Sequence, residues 1–244
     1  METSQPAQLF ITCLANTFTP EVGFATIEIL RRAGLETEFP PGQTCCGQPA
    51  YNAGRWGEAR QMARYTIETL EDAPGPVVLP SGSCTAMLRH GYHELFKDDP
   101  AWLKRAEALA GRTYELTEFL VDVLGETNLG SRFAGKVAYH PSCHLMRELG
   151  VDRQPKALLE AVEGLDLVPL EEADSCCGFG GLFSAEHPEI STEMLERKLA
   201  ALEKSGASTL VTCDSGCLMH MLGGLKAAGR PEEVRHIADI LAGV

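Results

Sequence analysis

The stretches Thr44-Cys45-Cys46-Gly47 and Ser175-Cys176-Cys177-Gly178 repeat the same order of two adjacent cysteines and a glycine. Each stretch has a further cysteine upstream and another downstream, at closely matching distances. The four pairs of equivalent cysteines are offset by 130, 131, 131 and 133 residues. This spacing predicts two copies of one structural unit. The flanking cysteines are Cys13, Cys84, Cys143 and Cys217.

The segments between the cysteines predict alternating strands and helices. Strands separated by helices form parallel sheets that the helices cover. We therefore predict an α/β fold of two pseudo-repeated units, each a parallel sheet flanked by helices. The units span residues 1–125 and 135–244, joined by a linker rich in Gly, Asn, Ser and Thr. The predicted helices cover residues 24–32, 58–70, 156–162 and 190–204, with a helical insert near 98–112, and short strands cover 37–39 and 167–170.

Composition and net charge limit the kinds of molecule that this protein is expected to bind. The 244 residues carry a formal net charge of −13, which opposes binding to nucleic acid and to anionic membrane surfaces. Residues 1–15 contain neither Lys nor Arg, unlike a signal peptide. Apolar runs fall short of the roughly 18 residues that a membrane-spanning helix requires. These features predict a soluble, cytoplasmic protein with no nucleic-acid partner and no membrane insertion.

Nine cysteines in a reducing compartment indicate metal or redox chemistry rather than disulfides. The thiols of two adjacent cysteines diverge, so a polynuclear cluster, which offers each a separate iron, suits them better than one ion. Gly47 and Gly178 let backbone N–H groups approach the sulfurs. We predict iron–sulfur clusters of the 4Fe-4S type. Their ligands are Cys13, Cys45, Cys46 and Cys84 in one site, and Cys143, Cys176, Cys177 and Cys217 in the other.

Other interpretations stay open at this level. Zinc is the main alternative metal, in one site or in both, because four thiolates satisfy it. Cys213 gives the second copy a fifth cysteine where the first has Pro80, and it is either a further ligand or a buried strand residue. Polar residues beside the predicted ligands are either hydrogen-bond donors to cluster sulfides or ordinary capping residues. They are His140, His144, Arg147 and His220, of which we assign His144 to the cluster's surroundings.

Four motifs resemble those of the lactate utilization protein A family. That family belongs to a wider cysteine-rich group that also includes the B subunit of heterodisulfide reductase. The resemblance covers nearly the whole chain, from Cys13 to about Gly223. The motifs are Thr44-Cys45-Cys46-Gly47-Gln48-Pro49, Tyr139-His140-Pro141-Ser142-Cys143-His144, Ser175-Cys176-Cys177-Gly178-Phe179-Gly180-Gly181 and Gly216-Cys217-Leu218-Met219.

The resemblance implies an iron–sulfur subunit of an L-lactate oxidation system that converts lactate to pyruvate. Such a subunit would act only with companion lactate-utilization proteins, one of which carries ferredoxin-type cysteine runs. The resemblance leaves open a cubane or an unusual two-part cluster. Two alternative functions are a thiol–disulfide reductase subunit and a zinc-stabilised interaction module.

The two predicted sites differ in their neighbours. The second copy alone adds Cys213, and histidines flank its ligands. These additional polar groups, as hydrogen-bond donors or ligands, should shift the reduction potential and the reactivity of that site. We therefore predict that the second site is the functional one and that the first is more structural.

Overall fold

The fold is taken from a computed structural model, which describes residues 5–243. It contains two four-stranded sheets, and every strand pair in them is parallel. The strand orders are β2-β1-β3-β4 and β6-β5-β7-β8, so the second sheet repeats the topology of the first. The strands are β1 (Ala7–Leu9), β2 (Thr37–Glu38), β3 (Val77–Leu79), β4 (Thr113–Glu115), β5 (Arg132–His140), β6 (Glu163–Val168), β7 (Thr209–Thr212) and β8 (Glu233–His236).

Helices connect the strands and cover the sheets. In α2, for example, the buried residues Val22, Ala25 and Ile29 recur at the helical period, which gives the helix one apolar face. Short π-helical turns occupy Met87–Gly91, Phe119–Val123 and His144–Glu148. The α-helices are α1 (Cys13–Phe18), α2 (Glu21–Arg32), α3 (Gln48–Asn52), α4 (Trp56–Glu71), α5 (Gly82–Ala86), α6 (Tyr92–Phe96), α7 (Pro100–Ala110), α8 (Leu116–Glu118), α9 (Arg153–Glu160), α10 (Leu182–Glu186), α11 (Pro188–Ser205), α12 (Ser215–Ala227) and α13 (Ile237–Ala242).

The predicted α/β architecture of two repeated units is confirmed, whereas two local expectations are wrong. Strand β6 covers Glu163–Val168 rather than 167–170, because it lies at the edge of its sheet and tolerates polar residues there. The end of the expected linker belongs to β5, which already pairs with β6 at Arg132. The unit boundaries stay a prediction, and their residues 1–4 and 244 lie outside the described chain.

The largest buried cluster draws on both halves of the chain. It combines Val22, Ile29 and Phe119 with Val137 and Ile237, among others. Helix α2 is also tied to the C-terminal helix, since the Arg32 guanidinium donates to the Ala242 carbonyl oxygen at 2.8 Å. The two sheets are therefore fixed to one another by a common core.

Candidate metal centre

The carboxyl ends of the parallel strands bring the cysteines together. Cys13 opens α1 after β1, and Cys84 lies in the first turn of α5 after β3. Open α/β sheets bind ligands at this edge, where the chain leaves neighbouring strands in opposite directions. Cys143 and Cys217 occupy the same places after β5 and β7. Cys217, like Cys84, lies in the first turn of its helix.

The first cysteine set consists of Cys13, Cys45, Cys46 and Cys84. Its thiols form a continuous series of contacts, in which the Sγ atoms of Cys46 and Cys84 are 3.3 Å apart. The Cys13 thiol hydrogen-bonds to Cys45 and lowers the pKa of that group. Hydrogen bonding to Cys45 and Cys84, together with burial, raises the pKa of Cys46 well above its usual value. The close contacts thus lower the pKa of Cys45 and raise those of Cys13 and Cys46.

The second cysteine set, Cys143, Cys176, Cys177 and Cys217, repeats this geometry. The Sγ atoms of Cys177 and Cys217 are again 3.3 Å apart. Hydrogen bonding from Cys143 lowers the pKa of Cys176, and hydrogen bonding to Cys176 raises the pKa of Cys143. Exposure matches as well, because Cys46 and Cys177 are both 2% exposed, and Cys84 and Cys217 are both 8% exposed. The two sets are equivalent in arrangement as well as in spacing.

The glycine after each cysteine pair is required by the backbone. Gly47 and Gly178 have φ angles of +88° and +94°, a region that other residues rarely adopt. A Cβ atom on Gly178 would lie 2.6 Å from the backbone oxygen of Ser191. The Gly178 N–H donates to Cys176 Sγ at 3.4 Å, as the sequence analysis expects of a sulfur-binding loop. The glycines therefore aim backbone donors at the thiols.

Each cysteine-pair loop is anchored by a side chain that sequence analysis missed. In the first half, Gln43 accepts from the Ile11 N–H at 3.1 Å and donates to the Leu9 carbonyl oxygen at 2.7 Å, which ties the loop to β1. In the second half, the buried Lys198 donates to the carbonyl oxygens of Glu172 and Ala173. Amide and ammonium groups are common on surfaces, so these anchors have no sequence signal of their own.

Both cysteine sets line one cavity of about 290 Å³. All eight cysteines of the two sets contribute to its wall, as do Phe179 and Leu182. Its polar wall includes Asp214, together with Ser81, Ser83 and Ser215. The repeated units thus turn the carboxyl edges of their sheets towards a common space.

Asp214 joins the two sets across this cavity. Its side chain accepts from the Gly216 N–H at 3.0 Å, at the start of the helix that carries Cys217. It also accepts from Ser81 Oγ at 3.0 Å and from the Ser83 N–H at 3.1 Å, at the start of the helix that carries Cys84. One carboxylate therefore caps a helix in each half. Alignment of the repeats places Asp214 opposite Ser81 in sequence, but their contact depends on how the halves meet.

The histidines and the arginine near the second set have different surroundings. His144 Nδ1 lies 3.6 Å from Cys143 Sγ, while its Nε2 lies 3.5 Å from a Glu148 carboxylate oxygen. His220 Nε2 lies 3.4 Å from Ser191 Oγ. Arg147 donates to the Asp174 carbonyl oxygen at 2.6 Å and so anchors the loop before Cys176. The assignment of His144 to the cluster's surroundings stays a prediction, and its position beside Cys143 supports it.

His140 is the most enclosed of these polar groups. It ends β5 and is fully buried, and a ring nitrogen, Cys177 Sγ and Cys217 Sγ all lie within 4.8 Å of one another. Burial, reinforced by the charge of Lys198, lowers the pKa of His140 to about 3. The imidazole is therefore neutral at physiological pH, which is the form that binds metals.

Cys213 lies within the largest buried cluster, fully enclosed, with its thiol 3.6 Å from the Tyr139 hydroxyl. Burial raises the pKa of this thiol well above its usual value. The thiol therefore stays protonated in its present surroundings, whereas a metal ligand is a thiolate. Ligation by Cys213 stays a prediction, and its packing matches the alternative of a buried strand residue.

The residues present fit a metal group. All nine cysteines are free thiols, and eight of them form two sets with matched contacts. Thiolates are the ligands that iron–sulfur clusters and structural zinc share. Within residues 5–243, neither ring nitrogen of His140 makes a hydrogen bond of good geometry, although the Ala173 carbonyl group is near enough to influence the pKa of the ring. Clustered cysteines and an unsatisfied imidazole together indicate metal or iron–sulfur binding.

Comparison with known proteins agrees with this duplicated site. The profile of a family described as "Cysteine-rich domain" (CCG) matches residues 7–89 and 137–222, one match in each half. A solved structure of a hypothetical protein from Helicobacter pylori has a TM-score of 0.69 at 14% identity. That match covers 98% of this chain and 48% of the other, and it supports the fold alone. The fold and the site thus define a protein of the cysteine-rich CCG class.

Full-length relatives narrow the class further. Lactate utilization protein A of Shouchella clausii is 51% identical over 96% of this chain and 97% of its own length. Lactate utilization protein A of an Exiguobacterium species is 48% identical over 96% of this chain and 95% of its own length. The chain belongs to the lactate utilization protein A family, as the sequence motifs predict. In residues 5–243, no helix is both long and apolar enough to cross a bilayer.

Proposed function

We propose that this chain is an iron–sulfur electron-transfer subunit in the oxidation of L-lactate to pyruvate, and that it works in the cytoplasm. The names of its relatives support the part in lactate utilization. The observation that carries the redox part is the pair of matched four-cysteine sets around one cavity. Free thiols throughout the chain agree with a reducing compartment.

The cysteine thiolates would hold the metal groups, four in each set. When bound, iron–sulfur clusters supply reversible one-electron transfer. The chain's own residues set the conditions for that chemistry. The Gly178 N–H donates to the Cys176 thiol, and Cys84 and Cys217 lie in the first turns of α5 and α12, near the positive ends of the helix dipoles. Such donors stabilise negative charge on sulfur and adjust the potential.

Two sites at one cavity favour a relay. Oxidation of lactate to pyruvate releases two electrons and two protons, whereas each cluster passes one electron at a time. Two closely placed sites allow both electrons to be held within one protein. The 244 residues contain no ferredoxin-type run of the form C-x2-C-x2-C-x3-C, so we assign the onward transfer to a companion protein that has one.

We expect protein purified without oxygen to contain iron and acid-labile sulfide in similar amounts, with no more than one zinc per chain. The reason is that two thiolate quartets with adjacent cysteines suit polynuclear clusters better than single ions. Metal analysis, sulfide analysis and EPR on one sample check this. Two zinc ions per chain without sulfide would instead support the zinc-stabilised module.

We also expect the pure chain to reduce dyes with lactate at a negligible rate. Measurable activity should appear only when the companion proteins are added. The cavity offers thiols and small polar groups, and the sequence carries neither a flavin nor a nicotinamide motif that would accept a hydride. Lactate-dependent dye reduction, assayed with and without companions, measures this. Rapid turnover by the single chain would contradict the subunit role.

A further inference from the structure

We propose that His140 supplies a nitrogen ligand to the metal group held by the second cysteine set. The inference rests on the metal-binding part of the proposed function and goes beyond it. It gives two sites of matching cysteine geometry different donor chemistry: thiolates alone in the first, and thiolates with an imidazole in the second.

The position of His140 brings its ring to the sulfurs. The residue is the last of β5, and the chain turns there into Pro141-Ser142-Cys143. A ring nitrogen forms a group with Cys177 Sγ and Cys217 Sγ in which all separations are within 4.8 Å. Metal–nitrogen and metal–sulfur bonds are about 2.0 and 2.3 Å long, so a shared ion holds nitrogen and sulfur at most about 4.3 Å apart, and from a separation of up to 4.8 Å the ring needs only a small shift to bind.

The ring is also unsatisfied in a way that indicates a ligand. His140 is 0% exposed, and neither Nδ1 nor Nε2 makes a hydrogen bond of good geometry in the described part of the chain; the Ala173 carbonyl group, which already accepts from Lys198, is near enough to influence the pKa of the ring. A buried polar group without a partner is destabilising, and native proteins rarely leave one in place without a reason. A metal group between the cysteines would satisfy one nitrogen directly.

The first half provides an internal comparison. Phe10 occupies the equivalent place before Cys13, is 1% exposed, and packs in the same buried cluster as Cys46 and Cys84. A phenyl ring fills this position without offering a donor. Because the paired cysteines match in exposure and in Sγ–Sγ distance, the exchange of phenyl for imidazole changes donor chemistry with little change in shape.

The expected consequence is a difference in reduction potential. An imidazole is a neutral ligand, and where His140 takes the place of one of the four thiolates it raises the potential of an iron–sulfur centre. The second site should therefore accept electrons before the first. Electrons delivered to the shared cavity would then collect at the site that carries His140.

The test exchanges the two residues between the halves in the full chain, purified without oxygen. The variants are His140→Phe and Phe10→His, with His236→Asn as the matched control. His236 is likewise a fully buried histidine at the end of a parallel strand, but its Nδ1 accepts from the Ala238 N–H, a capping role that asparagine can keep. The measurements are metal and sulfide content, redox titration, pulsed EPR for nitrogen couplings, and thermal unfolding of the metal-free chains.

We expect wild type and His236→Asn to show the coupling of a directly bound nitrogen. His140→Phe should lose that coupling and bring the two potentials together. The metal-free His140→Phe chain should be at least as stable as wild type, because its buried unpaired nitrogens are gone. Phe10→His should move the first site's potential towards that of the second.

Three results overturn the inference for an iron–sulfur group. One is an unchanged nitrogen coupling in His140→Phe. Another is a coupling as weak as that of a hydrogen-bonded nitrogen in wild type. The third is a wild-type chain with metal in the first site alone. If the second site takes zinc, cobalt(II) substitution compares the same variants through ligand-field bands, and unchanged bands in His140→Phe overturn the inference. A wild-type chain without any metal overturns the proposed function itself.

Discussion

Cys217→Ser is expected to empty the second site and to lower lactate-dependent electron transfer with the companion proteins by more than about tenfold. Cys217 lies in the first turn of α12, with its thiol 3.3 Å from Cys177. Serine has nearly the same shape, and the Asp214 cap of the helix stays in place. The fold should therefore survive while one of four thiolates is lost.

Two variants serve as comparisons. Cys13→Ser should mainly lower stability or yield, because we assign the first site a more structural part. Cys213→Ser should leave the EPR spectrum unchanged if Cys213 is a buried strand residue, and should alter it if Cys213 is a ligand. Metal content, EPR, coupled activity and thermal unfolding are measured on all three. Equal loss of activity with intact stability in Cys13→Ser and Cys217→Ser would defeat the division of labour.

Gly178→Ala is expected to lower the free energy of unfolding by about 3 kcal/mol and to disturb the second site. An alanine at φ +94° is strained, and its Cβ would lie 2.6 Å from the Ser191 backbone oxygen. For a chain of this size, such a loss lowers the midpoint of thermal unfolding by about 6–12 °C. Because Cys176 and Cys177 directly precede Gly178, the shift that relieves the clash should also reduce metal content.

Gly181→Ala is the matched control, because it introduces backbone strain without a steric clash. Gly181 has a positive φ of +63°, but a Cβ there would meet nothing within 4 Å. Because Gly181 has a ψ of −106°, outside the left-handed helical region, alanine there should cost about 1–3 kcal/mol through backbone strain alone, and metal content should stay near that of wild type. Thermal unfolding and metal analysis of both variants check this. Equal losses of stability and metal content in the two variants would show that the close approach to the Ser191 oxygen contributes little to the effect of Gly178→Ala.

Much of the fold could be predicted because the repeat is local in sequence. The matched spacing of Cys13 with Cys143, and of Cys84 with Cys217, requires two equivalent units. Alternation of apolar strands and amphipathic helices then dictates parallel sheets, whose carboxyl ends gather the cysteines. The bounds of strand β6 were harder to predict, because an edge strand can carry Glu163 and Asp166 where a central strand would be apolar.

The relation between the halves could not be predicted in this way. Contacts such as Ser81 with Asp214 join residues 133 positions apart, and the pattern of neither half indicates the other's orientation. The common core around Ile29 and Ile237 could not be predicted either. In the sequence, each residue indicates only the apolar face of its own helix. The difference between Phe10 and His140 is visible in the aligned repeats, but its meaning depends on burial, which only the structure gives.

The shared cavity also affects how a small molecule bound at one cysteine set meets the other set. A small molecule held at one cysteine set remains confined within reach of the other, since both sets line the same 290 Å³. Its meeting with the second set is then intramolecular, governed by an effective concentration rather than by diffusion from solution. A species released at one set would therefore meet the other at a higher local concentration than bulk water provides.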